Sequence, residues 1–210
     1  MNPPKIVQSP ASSVEGSNLP QLQTTAKLMY ALSDGCPRSM KIEASIPTQV
    51  LNIIISNGDG VPSVTSTYFR TIDVWLPVID ADTCVKRLET ITQDNNVELS
   101  SLLLAMFLVT RPPGNNSSMR EMQTPLYFET KTLYSFIVSS GRSTIEVIQA
   151  GLLISLYEVG HGMTEAAQVT IAVCSRMAMK MKAVQYRNSS RDIQNTEFGR
   201  LWWGIVTLDR

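Results

Sequence analysis

The chain has 210 residues, 43% of them hydrophobic, with 18 Lys and Arg balanced by 18 Asp and Glu. That is enough apolar material for one domain core, and a formal charge of zero supplies no positive potential to gather phosphate backbones, so DNA binding by this chain alone is disfavoured. Cys36, Cys84 and Cys174 are far apart, with no CxxC pair and no neighbouring His. They argue against a zinc site and fit a reduced intracellular compartment.

Residues 1–20 carry Pro3, Pro4, Pro10 and Pro20 among Ser, Asn and Gly and read as a flexible arm. The helical domain is placed at 21–210. Its first helix is expected from about Leu19 to Leu32, with Leu22, Ala26, Met29 and Leu32 on one face and Gly35 as a stop. The run Val50 to Ile55 is ambiguous between strand and helix, because β-branched residues favour the former and periodicity does not decide; the surrounding helices favour helix.

From Ser63, Val64, Tyr68, Ile72 and Trp75 recur at steps of three and four, predicting a helix that ends just before Pro77. A further helix starts near Asp80 or Asp82 and turns Cys84 or Val85, Leu88 and Ile91 inward. Val97 to Thr110 is apolar nearly all round and belongs in the middle of a bundle. It contains the longest unbroken apolar run, Leu102 to Val109, which is far short of the ~20 residues needed to span a bilayer.

Thr124 caps a helix beginning at Pro125, with Leu126, Leu133 and Ile137 as its ridge and Gly141 as its stop. Ser143-Thr144-Ile145-Glu146 reads as a capping box opening a helix that runs to Gly160-His161-Gly162. Thr164-Glu165 opens the next, on which Val169, Val173, Met177 and Met181 form a four-residue row. A last amphipathic segment from Asn195 or Thr196 carries Phe198, Leu201, Trp202 and Ile205 and meets no stop before Arg210. The fold class is therefore all-α, an irregular bundle of antiparallel helices.

The stretch Gln149-Ala150-Gly151-Leu152-Leu153-Ile154-Ser155-Leu156-Tyr157-Glu158, followed by Gly160-His161-Gly162, Ala166-Ala167 and Cys174-Ser175-Arg176-Met177-Ala178, resembles the middle homology region of fungal zinc-cluster transcription factors. Glu197 to Arg210 resembles that family's most recognisable signature, in which Glu197 and Arg200 precede the pair Trp202-Trp203 and Asp209-Arg210 closes the segment. Tyr68-Phe69, Trp75-Leu76-Pro77 and the Leu102 to Thr110 helix fit the opening helices, so the resemblance covers about 64–210.

The resemblance implies an all-α regulatory domain of a nuclear regulator of RNA polymerase II genes, with metabolic or secondary-metabolite clusters among the expected targets. It also implies a protein partner or homodimer, or a small effector in a helical pocket. Zinc belongs to the relatives' six-cysteine DNA-reading cluster, which these residues lack, so neither a cofactor nor DNA contact carries over. Relatives continue past the Asp-Arg pair, which makes the copy C-terminally incomplete, and Lys182-Ala183-Val184 stands where they have Gly-Leu-His. No catalytic residues come with the family.

Arg200 is expected near Glu197 or over Trp203, each three residues away, in a structural role. Met177 and Met181 are candidates for an adaptable effector pocket, although methionine at helical spacing is first of all core filler. His161, the single histidine, reads as a loop residue, and the basic residues Arg176, Lys180, Lys182, Arg187 and Arg191 as a solvated face. A helical enzyme of the terpene-synthase type needs facing acidic clusters, and Asp80 with Asp82 is the one close Asp pair. A pure interaction module or truncated remnant is the other alternative.

Overall fold

The computed structural model describes residues 39–91, 93–111, 124–187 and 196–209, which form eight helices and no strand. They are α1 (Ser39–Ser56), α2 (Val61–Thr71), α3 (Ala81–Glu89), α4 (Val97–Val109), α5 (Pro125–Ser139), α6 (Ile145–Gly160), α7 (Thr164–Arg187) and α8 (Thr196–Leu208). The all-α expectation is met, and the ambiguous run at Val50 to Ile55 lies within α1. The flexible arm and the helix expected at 19–32 fall outside the described residues.

Helix α4 is the axis of the bundle. Val97 and every residue from Leu99 to Leu108 are buried, because a helix apolar on all sides must be covered on all sides. It packs against α1, α2, α5 and above all α6. Asn96 starts it by accepting the Leu99 amide at 2.7 Å, satisfying a donor that the first turn leaves open. Helix α6 is buried from Val147 to Ser155 and is covered on its other sides by α5, α7 and α8.

Three local expectations are corrected. Helix α2 stops at Thr71, and the chain then tightens into turns in which the Trp75 and Leu76 amides both reach the Ile72 carbonyl. Pro77 disfavours helical geometry at Leu76, and β-branched Ile72 and Val74 add to that, so the helix yields before the proline rather than at it. The capping box does not form: Thr144, not Ser143, is the N-cap of α6 and makes no side-chain cap bond, and Glu146 pairs instead with Arg87 of α3.

On α7 the buried apolar residues are Ala167, Ile171, Cys174, Met177 and Ala178, with Val173 and Met181 packed against the core, so of the expected row only Val169, 64% exposed, lies off the packed face. A strict four-residue step overshoots each turn by about 40°, so a row counted that way drifts off the packed face. Helix α8 runs to Leu208. Elsewhere the start signals hold. Asp80 accepts the Thr83 amide at 3.1 Å, Thr124 accepts that of Tyr127 at 3.2 Å, and Gly141 ends α5 with a φ of +79°, a conformation that suits glycine.

Candidate regulatory surface and its supports

Within α6, the residues of the Gln149 to Glu158 stretch act as joints to neighbouring elements. Gln149 is buried and its Nε2 donates to the Val78 carbonyl at 2.8 Å, pinning the extended segment after Pro77 against the helix. Gly151 leaves room for a crossing: a Cβ there would lie 2.4 Å from Cys174 Sγ and 2.6 Å from the Tyr134 hydroxyl. That hydroxyl and thiol are themselves 3.5 Å apart.

Glu158 is wholly buried and binds three helices together. Its Oε1 accepts from Lys131 Nζ at 2.6 Å and from the Tyr127 hydroxyl at 2.8 Å, and its Oε2 accepts from the Thr170 hydroxyl at 2.6 Å. A buried carboxylate without such donors is strongly unfavourable, so this network requires α5, α6 and α7 in one register. Burial and the neighbouring carboxylate push the Tyr127 phenol pKa upward, leaving it a neutral donor. Tyr157 stacks between Tyr127 and His161, whose ring centroid is 3.9 Å away. His161 caps the end of α6 as a turn residue, and Gly162 follows with a φ of +71°.

Helix α8 divides into two faces. Leu201, Gly204 and Ile205 are buried, and a Cβ on Gly204 would lie 2.6 Å from Val78 Cγ1 and 3.2 Å from Leu152 Cδ1. Trp202, Trp203 and Val206 turn outward at 39%, 49% and 40% exposure. Lys182 of α7 lies over the Trp202 ring, 5.8 Å from its centroid.

Arg200 does not pair with Glu197 or Trp203 as expected; its Nη1 reaches Asp80 Oδ2 at 3.4 Å. Three residues on a helix place Glu197 within range of the guanidinium, but Asp80 already sits at the N-terminus of α3, and the ion pair ties α8 to the loop before it. Asp80 is held below its ordinary pKa of 3.8, first by the Thr83 amide and hydroxyl, then by Arg200. Glu197 is pushed above its ordinary 4.5 by burial and by Glu146 and Asp80. Asp209 is exposed, and Arg210 lies outside the described residues.

Met177 belongs to the core, and Met181 packs at its edge. Cys84 and Cys174 are buried free thiols, pushed up by burial to about 11 and about 12. Among the described residues no group of three or more His, Cys, Asp or Glu is placed to hold a metal ion, and no helix is long and apolar enough to cross a membrane. The spacing-based reading missed Gln149, Gly151, Glu158 and Gly204 as joints. A buried amide, a buried acid and two glycines inside apolar helices were the available signal.

The family described as fungal specific transcription factor domain matches residues 65–210. Transcription factor BOA15 of Botryotinia fuckeliana is 28% identical over 123 residues, which is 59% of this chain and 67% of that protein. No solved structure matches the chain.

Proposed function

The chain belongs to the family of fungal-specific transcription factor domains, and from that premise we propose that it is the regulatory domain of a nuclear regulator of RNA polymerase II genes. It is a transcription regulator by family, and the family is one of transcription factors rather than of enzymes. The proposed mode is contact with another protein or a second copy, which biases an associated DNA-reading module.

The observation that supports this mode is the outward face of α8. Trp202, Trp203 and Val206 are left half-exposed on a helix whose inner face is fixed by Gly204, Arg200 and Leu201. Tryptophan is the residue type most enriched at the energetic centres of protein contacts, since a large flat ring contributes much area for little lost freedom.

A reporter assay tests the reading. The chain is fused to an unrelated DNA-binding module, and transcription from that module's site is compared with the module alone. A change in output that Trp202→Ala with Trp203→Ala abolishes is expected. Output indistinguishable from the bare module would overturn the proposal.

A further inference from the structure

The second half of α7 carries charge of one sign. From Ala166 to its end the helix has Arg176, Lys180, Lys182 and Arg187 and no acid. Cations in the last turn of a helix complement its dipole, but Arg176 stands three turns before the end, beyond that reach. Among the described residues it makes no ion pair. Arg176, Met179 and Lys182 follow at three-residue steps, which makes each the surface neighbour of the next, and all three are exposed.

A second observation joins this row to α8. Lys182 lies over the Trp202 ring, so the row runs beside the outward face of the packed neighbouring helix. On that face Gly199, Trp202 and Val206 recur at steps of three and four, and all are exposed. Met179, Trp202 and Val206 together make an apolar surface with a positive edge along α7, and Gly199, with open space around it, leaves a notch beside the indole. Asp209, seven residues beyond Trp202, is exposed at the end of α8.

We propose that this surface docks an acidic protein segment bearing apolar residues at helical spacing, with its carboxylates on Arg176 and Lys182 and its apolar row on Met179, Trp202 and Val206. Charge fixes the sign of the partner, and the exposed indole, thioether and valine give its apolar side chains something to bury against. The Gly199 notch admits one bulky side chain next to Trp202. Duplex DNA suits the place poorly: two cations about 9 Å apart along the helix reach few phosphates, and a phosphate backbone offers Met179 and Val206 nothing to pack on. This inference rests on the regulatory reading above and supplies its partner's chemistry.

The test uses the whole chain and a fluorescein-labelled peptide of glutamate and leucine, the leucines at steps of three and four, followed by anisotropy. Saturable binding that weakens as salt is raised from about 50 to 300 mM is expected, because exposed charges are screened over that range. Arg176→Glu with Lys182→Glu should weaken it by about tenfold or more, while Arg70→Glu, a charge reversal at an exposed position of α2, leaves it unchanged.

A titration of the unmutated, nitrogen-15-labelled chain gives a second reading independent of those substitutions: the indole N–H signal of Trp202 moves, and that of Trp75 does not. Equal binding of an arginine and leucine peptide, of duplex DNA or of phosphatidylserine vesicles, insensitivity to the double reversal, or a chain that sediments as a dimer through Trp202 and excludes the peptide would each overturn the proposal. Peptide binding is read directly, so its failure beside an active reporter removes this surface and leaves the regulatory reading, whereas a silent reporter beside intact binding does the reverse.

Discussion

Gly204 of α8 and Val78 of the α2–α3 segment approach so closely that a Cβ on the glycine would lie 2.6 Å from the valine Cγ1. Inside a helix, Gly to Ala normally gains ~0.5–1 kcal/mol, but here the methyl would press on the buried walls of Val78 and Leu152. Gly204→Ala is expected to destabilise by about 1–3 kcal/mol. Gly199→Ala, in the same helix with open space around it, is expected to stabilise. Urea unfolding of the two variants against the parent measures both signs.

Gly151 makes a comparable demand at the crossing of α6, α5 and α7. Gly151→Ala should cost about 1–3 kcal/mol, because the added carbon meets Cys174 Sγ and the Tyr134 hydroxyl. Cys174→Ala in the Gly151→Ala background should recover part of that loss, since it removes the nearer atom. A double-mutant cycle showing strict additivity would contradict this packing.

Removing the cation beside Glu158 leaves a wholly buried carboxylate without its counter-charge. Lys131→Met is expected to cost roughly 3–5 kcal/mol, and Glu158→Gln less, because Lys131 is itself partly open to solvent. The ordering is the diagnostic result in thermal or chemical denaturation at neutral pH.

Glu197 and Glu146 give stability two opposed dependences on pH. Glu197 has a raised folded-state pKa, from burial first and the neighbouring carboxylates second, so its contribution is present below its ordinary 4.5 and is lost as pH rises through the folded value. Glu146 is pushed upward by burial, yet hydrogen bonds from its own amide and Arg87 outweigh this and lower it. Its contribution is present above 4.5 and lost as pH falls through the folded value. Glu197→Gln is therefore expected to raise the melting temperature at pH 7, with the gain fading toward pH 4.

Thiol chemistry supplies a further check. Burial pushes Cys84 up to about 11 and Cys174 to about 12, so at pH 8 both are protonated and shielded. Brief treatment of the native chain with N-ethylmaleimide should leave these two unmodified by mass spectrometry, and the same treatment in urea should label both.

The helix order was legible because apolar periodicity and punctuation coincide: Thr124 caps, Pro125 opens and Gly141 closes. What escaped was whatever depends on a partner distant in sequence. The Ser143 box is a sound local pattern, but Arg87, 59 residues away, draws Glu146 elsewhere. Arg200 has a carboxylate one helical turn away and still pairs with Asp80, 120 residues distant. Periodicity gives the buried face of α7 only to within a turn: Met177 is in the core while Val169, on the same four-residue row, is exposed. Glycines whose role is to admit a neighbour carry no local mark, because the neighbour is not in the pattern.

Helix α4 also imposes a timetable on the chain as it is made. Its largest interface is with α6, which is complete only at Gly160, 51 residues after Val109. At ~5–20 residues per second, the side of α4 awaiting α6 stays uncovered for roughly 3–10 s of synthesis. During that interval an almost wholly apolar helix has only α1, α2 and a growing α5 to shelter it. Ribosome-associated chaperones are the expected first partners of the nascent chain, and a stalled product ending between α4 and α5 is its most aggregation-prone form.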